Sequence, residues 1–231
     1  CETGGKLDFD SPSYKLSLMT PDFSPEPTGL PMVPVTIAAV GEAMLRVAGQ
    51  VADGVRLHPL CSRRSLEQVC LPNLMEGMRR AGRSRLHFDV HGGGFVVTGA
   101  DEATVAAGMQ RVRRRIGFYG STRTYMPILA LHDLQDLGLK LHRLSVEGRW
   151  DAMADEVPDE VVRIFAACGT FDQLAGAIEQ RFGGMSDSID LQFPAGTPAG
   201  LQQELLADIR GIPHSFAGFD TNWQGEAPWP A

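Results

Sequence analysis

Several short stretches hold residues whose types and spacing could do chemistry. The first is Ala39, Val40, Gly41, Glu42 and Ala43, inside PVTIAAVGEAMLRVAGQVADGVRLHP (34–59). A continuous apolar run of strand length, Val35 to Ala39, meets Gly41 and then apolar residues at helical spacing, Met44, Val47, Ala48 and Val51. Where a strand gives way to a helix, the first N–H groups lack intrahelical partners and the helix dipole presents its positive end. A phosphate can be held there by backbone alone, and a glycine lets it come close. A glycine kept only for packing explains the same residues. The dinucleotide fingerprint GxGxxG is absent, which disfavours a nicotinamide Rossmann site.

His58 follows the next short strand, Gly54 to Leu57, where it either lines a cofactor or is satisfied by backbone. In FYGSTRTY (118–125), Tyr119, Ser121, Arg123 and Tyr125 gather at a break between helices. The planar guanidinium of Arg123 suits a substrate or cofactor carboxylate, while a helix cap with aromatic packing is the plainer reading of the cluster. HGGGF (91–95) matches the oxyanion-hole motif of some lipases, but its partner GxSxG is missing and GMSDS (184–188) fails at the last position. His87 and His91 share one strand face by spacing without a third ligand, so no metal site is expected. His132 and His142 read as surface or packing residues, and Arg111 to Arg115 as a solvated helix face.

The elements that must position these residues alternate. After the strand–helix–strand of 34–59, Leu66 to Ala81 is amphipathic and ends at Gly82, a C-cap. Leu86 to Val97 reads as a third strand region interrupted by Gly92, Gly93 and Gly94. Asp101 to Tyr119 is a long helix with an acidic start and a basic later part. Thr122 to Ala166 is helical and broken, with no strand signal. Gln173 to Arg181 is helical, Ser188 to Phe193 a fourth strand, and Ala199 to Ile209 a last helix. Upstream, residues 1–33 form an arm with a hairpin signal at Ser11-Pro12-Ser13 and a proline-rich connection, and 220–231 is an irregular tail.

Strands separated by helices mean parallel βαβ units. Val35 to Ala39 has the apolar continuity of a strand buried on both faces. A complete (β/α)8 barrel needs eight strands, so four strands point to the C-terminal half of a TIM-like α/β barrel, spanning 34–219 with a helical insertion at 122–168. An open doubly wound sheet competes. The first residue is Cys1 rather than Met, and a missing upstream portion is the expectation.

The chain of 231 residues is 43% hydrophobic with a formal net charge of -7, enough for a sizeable core and the wrong sign for a nucleic-acid partner. No apolar run is long enough for a membrane span, and no signal-peptide pattern opens the chain. Four cysteines without a CxxC pair suit reduced thiols in a cytoplasm.

The stretch 34–59 resembles the strand–turn–helix–strand of the luciferase-like flavin and deazaflavin oxidoreductases, above all their F420-dependent branch. RVRRRIGFYGSTRTYMPILALH (111–132) and LHRLSVEGRWDAMADEVPDEVVRIFAACGTFDQLAGAIEQRFGG (141–184) agree with that branch, as does the arm YKLSLMTPDFSP (14–25). The resemblance implies a TIM-like barrel with the cofactor across the C-terminal strand ends. It places the cofactor's phosphate or its linker at Ala39–Ala43, where the family often has proline in place of Glu42. It further implies a missing upstream half that carries most residues against the reactive ring, so no catalytic residue carries over. The expected cofactor is coenzyme F420, with FMN in a monooxygenase as the alternative and a non-catalytic barrel paralogue as another. The expected partner is a small-molecule organic substrate, with a homodimer left open.

Overall fold

The computed structural model describes residues 5–29 and 33–219. The described residues divide into two compact units, one within 5–33 and the other Pro34–Phe219. In the first unit, β1 (Phe9–Asp10) pairs antiparallel with β2 (Lys15–Leu16) around the Ser11-Pro12-Ser13 turn. Ser11 N–H donates to the Tyr14 carbonyl at 2.9 Å, and a single 3-10 turn follows at Pro21–Phe23. None of its described residues is buried. The expected tail at 220–231 lies outside the described residues.

In the second unit, β3 (Thr36–Ala39), β4 (Gly54–Leu57) and β5 (Asp89–Gly92) form a parallel sheet in that order. Helix α1 (Glu42–Val51) crosses from β3 to β4. Helix α2 (Arg63–Ser65), a π-helical turn (Leu66–Cys70) and α3 (Leu71–Arg80) cross from β4 to β5. A Ser62–Ser65 capping box starts this second crossing. A Cβ on Gly49 would stand 2.2 Å from the Leu74 carbonyl oxygen, and one on Gly77 2.1 Å from that of Arg46. The two glycines let α1 and α3 touch backbone to backbone.

The pairing aligns Ala39 with Leu57 and Leu57 with Gly92, so all three strands end at one edge. Ala39, Val55, Leu57 and Val90 turn one sheet face into a core with Leu45, Ala48, Leu74 and Phe182. On the other face Thr36, Ala38 and Arg56 are exposed, and Asp89 and His91 are half-buried. The expectation that β3 is buried on both faces is therefore wrong. Among the described residues, helices cover one side and β3 has a strand partner on one edge.

The expected third strand is two strands. Gly92, Gly93 and Gly94 have φ of 83°, 97° and 157°, a left-handed run that L side chains resist, and it turns the chain out of the first sheet. β6 (Phe95–Gly99) restarts beyond it. Helix α4 (Glu102–Gly120) follows, capped by the Asp101 carboxylate, which accepts the Thr104 N–H at 2.7 Å. Helices α5 (Met126–Ala130), α6 (Gln135–Val146), α7 (Ala152–Asp155) and α8 (Asp159–Phe165) occupy the predicted helical segment. β7 (Ala166–Thr170) then pairs parallel with β6, a strand not anticipated because AACGT holds no apolar β-branched residue. Phe95, Val97, Ile116, Leu141 and Phe165 centre a second core here.

Helix α9 (Leu174–Phe182) leads to the predicted fourth strand, which does not form. Ser188 makes one parallel bridge to His91, with Gly92 N–H donating to its carbonyl at 2.8 Å. Beyond it Ile189, Leu191 and Phe193 pack against the helix-side core instead of continuing the ladder. Helix α10 (Ala199–Arg210) closes the described chain. Among the described residues no helix is long and apolar enough to cross a membrane.

Candidate functional site at the strand ends

The turn between β3 and α1 stands open. Gly41 is the N-cap in extended conformation, φ -86° and ψ 157°, and no side chain caps the helix. Among the described residues, the first helical N–H with a backbone acceptor is that of Leu45, to the Gly41 carbonyl at 3.0 Å. This leaves the N–H groups of Glu42, Ala43 and Met44 without intrahelical acceptors. A Cβ on Gly41 would meet nothing within 4 Å. Ala39 is buried beneath the turn and Val40 half-buried, while Gly41, Glu42 and Ala43 are exposed. The Glu42 carboxylate reaches along the helix to Arg46 at 3.5 Å, so its charge is partly offset and drawn away from the cap. The donor set and the open approach fit a phosphate.

His58 leaves β4 at the same edge. Its Nδ1 accepts the Leu60 N–H at 3.1 Å, which puts the proton of the neutral ring on Nε2. Tyr125 stacks on the imidazole with centroids 4.5 Å apart and planes at 28°. Tyr119 meets it edge-on, also at 4.5 Å, with planes at 87°. The two tyrosines lie 5.9 Å from each other. Burial, and then the Arg115 guanidinium, push the His58 pKa below its ordinary value. Burial, and then Tyr119, push that of Tyr125 up. The cluster is thus a neutral imidazole donor set in an aromatic wall.

The structure brings together His58, Tyr119 and Tyr125 from the sequence-predicted residues, and leaves Arg123 outside. Arg123 is exposed at the start of a 3-10 turn (Arg123–Tyr125), with no hydrogen-bond or ion-pair partner among the described residues. Ser121 is a buried helix end, its hydroxyl donating to the Phe118 carbonyl at 2.7 Å. The HGGGF glycines aim a carbonyl, that of Gly93, at the Arg181 guanidinium at 2.8 Å. That polarity is opposite to an oxyanion hole. Among the described residues no group of three or more His, Cys, Asp and Glu could hold a metal ion.

Sequence reasoning missed a polar chain on the uncovered sheet face. Arg56 pairs with Asp190 at 2.5 Å, and Asp190 lies 3.4 Å from His91 Nε2. His91 Nδ1 is 2.8 Å from the Ser188 hydroxyl, which donates to the Asp89 carboxylate at 2.9 and 3.0 Å. Burial raises the Asp89 pKa, opposed by the Ser188 hydrogen bond and aided by nearby Asp187. Asp89 and His91 alternate onto one face of β5, but their partners come from beyond α9 and carry no local signal.

Residues 1–187 match the model of the luciferase-like monooxygenase family. Uncharacterised proteins of Mycobacterium bovis and Mycobacterium tuberculosis are each 44% identical over 188 residues, covering 81% of this chain and 55% of their own length. A 5,10-methylenetetrahydromethanopterin reductase of Archaeoglobus fulgidus is 28% identical over 215 residues, covering 90% of this chain and 60% of its own. The coenzyme F420 dependent tetrahydromethanopterin reductase of Methanopyrus kandleri superposes with a TM-score of 0.57 at 18% identity, over 78% of this chain and 50% of that one. An F420-dependent secondary alcohol dehydrogenase, in complex with an F420-acetone adduct, also reaches 0.57, at 16% identity over 90% of this chain and 57% of that one. These likenesses show an α/β fold similar to that of F420-dependent TIM-barrel enzymes. The chain spans about half the length of the curated relatives that it matches. With the family model matching most of its residues, the chain belongs to the luciferase-like monooxygenase family.

Proposed function

We propose that this chain is the C-terminal half of a (β/α)8 barrel that binds coenzyme F420 and serves hydride transfer to or from a small organic substrate. The observation that carries the reading is the open Gly41 turn, at the same strand-end edge as the His58–Tyr119–Tyr125 wall. Unpaired N–H groups of Glu42, Ala43 and Met44 would hold the cofactor's phosphate, and the aromatic wall would exclude water beside it. When bound, F420 supplies the hydride-carrying ring. His58 Nε2–H is a side-chain donor at that edge. The two solved structures compared above are named as F420-dependent, which favours F420 over FMN, although the turn itself fits either phosphate.

Three parallel strands, one further parallel bridge at Ser188 and an uncovered polar face support the half-barrel reading. An incomplete barrel leaves β3 as an open edge, with Val35 60% exposed. Sedimentation of the isolated 231 residues should show self-association through that edge, and F420 turnover should be undetectable. A monomer with normal turnover would overturn the half-barrel.

Gly41→Asp tests the phosphate turn without a folding confound. Gly41 has a φ open to any residue and free space around it, and Asp is a favourable N-cap. The variant should keep the fold and lose about tenfold or more in F420 affinity, because the carboxylate takes the N–H groups and repels the phosphate. Absorbance titration with F420, and in parallel with FMN, reads the result. Unchanged affinity in the folded variant sinks the assignment, and preference for FMN moves the chain to the flavin branch.

A further inference from the structure

A cavity of about 560 Å³ lies among the first turn of α2, the start of β7 and α9. In a chain with a formal net charge of -7, it is lined by Arg63, Arg64, Arg163 and Arg181, against Glu67 as its lining carboxylate. Much of this positive charge is unspent. Arg63 donates to Glu67 at 2.8 Å and to the Gln180 carbonyl at 2.6 Å. Arg64 donates to the Leu131 carbonyl. Arg163 is exposed and has no hydrogen-bond or ion-pair partner among the described residues.

Arg181 is the unusual member. It is 6% exposed, and one of its terminal nitrogens donates to the carbonyls of Cys61 and Gly93. Its Nε and its other terminal nitrogen are buried without any acceptor among the described residues. A buried guanidinium ordinarily has a carboxylate or a full set of acceptors, because desolvating the charge costs more than carbonyl dipoles return. Burial lowers the Arg181 pKa to about 10, opposed by Cys61 and aided by the like charge of Arg63. His132 closes the wall, its Nε2 2.6 Å from the Ser62 hydroxyl, and it is held neutral by burial and by Arg64 and Arg181. Cys168 lines the cavity too, but burial pushes its thiol up to about 11, so the site is built for binding rather than covalent chemistry.

We infer that this cavity is a binding site for a small-molecule oxyanion with two or more negative charges, held by Arg64 and Arg163 at its rim and drawn by the charge of Arg181 buried in its wall. Phosphate and carboxylate oxygens share the required chemistry. The site has no lining residue in common with the Gly41 turn or the His58 cluster and does not rest on the F420 reading.

Calorimetric titration of the 231-residue chain with pyrophosphate and, separately, with citrate tests it, with chloride as the control anion. Saturable binding of either polyanion and not of chloride is expected, weakening steeply between about 50 and 200 mM salt. The tighter of the two identifies the phosphate or the carboxylate source. Arg64→Gln with Arg163→Gln should weaken binding about tenfold or more. Arg114→Gln, which removes one positive charge from α4 outside the cavity, should leave it unchanged. Arg181→Met should abolish binding, and the rim variants decide the matter if that variant fails to fold. Absence of saturable binding, or an equal loss in Arg114→Gln, overturns the proposal. A final titration adds F420 to chain saturated with the polyanion. Additive binding supports a separate site, and competition makes the cavity part of the cofactor site and overturns it.

Discussion

The imidazole of His58 lies stacked against the phenol ring of Tyr125, centroids 4.5 Å apart, although His58 follows a strand of the first sheet and Tyr125 packs against the second core. His58 leaves β4 of the first sheet, and Tyr125 ends the 3-10 turn after α4. Their meeting couples the strand-end edge that carries Gly41 to the helical segment around the second sheet.

Tyr125→Leu keeps apolar bulk but removes the stack. Aromatic pairs contribute about 0.5–1.5 kcal/mol beyond their buried area, so a stability loss of about 1 kcal/mol is expected in urea unfolding. Tyr119→Leu should cost a similar amount, and the double variant less than the sum, because both rings share the same imidazole. Strict additivity would mean that the rings do not act through His58.

Acid should weaken the fold through two histidines. His58 and His132 both have pKa values below the ordinary 6.5, each with burial as the largest cause. A depressed pKa means that the folded state favours the neutral ring. Its contribution is therefore complete above pH 6.5 and is lost as the pH falls through the folded value. Urea midpoints measured downwards from about pH 7.5 should decline, and His58→Gln with His132→Gln should flatten that slope between about pH 7 and 5. An unaltered slope would contradict the assignment.

Two glycine-to-alanine changes should have opposite signs. Alanine at Gly77 puts a Cβ 2.1 Å from the Arg46 carbonyl oxygen, forcing α1 and α3 apart at a cost of about 1–3 kcal/mol. Alanine at Gly176 in α9 meets nothing within 4 Å and should stabilise by about 0.5–1 kcal/mol through helix propensity. Thermal unfolding of both variants reads the contrast.

Asp187 ties the C-terminal segment to the sheet. Its side chain is 1% exposed and accepts from Arg85 at 2.7 Å, Val90 N–H at 2.8 Å, and the Ser215 and Phe216 N–H groups at 3.0 Å. Asp187→Ala leaves three amides without this acceptor and the Arg85 guanidinium with the Phe88 carbonyl in place of a carboxylate, so a loss of about 3–5 kcal/mol is expected. Amide exchange should quicken at Ser215 and Phe216 first.

The alternation of elements, the Gly41 corner and the α4 start at Asp101 were legible in the sequence because each depends on neighbours within a few residues: apolar spacing, a missing Cβ, a capping carboxylate. His58 could be placed at a strand end for the same reason. What surrounds it could not, since Tyr119 and Tyr125 reach it only after α4 folds back past Phe95, and no local pattern records that path. The break at Gly92 to Gly94 was visible as composition, but whether a strand continues through it depends on which sheet offers a free edge. β7 forms from AACGT because β6 lies beside it, and Ser188 to Phe193 stays irregular because only one rung is available and the core draws its apolar residues away. The unpaired nitrogens of Arg181 are likewise a tertiary fact. An arginine late in an amphipathic helix reads as a solvated charge, and only the packing of α9 against Cys61 and Gly93 removes it from water.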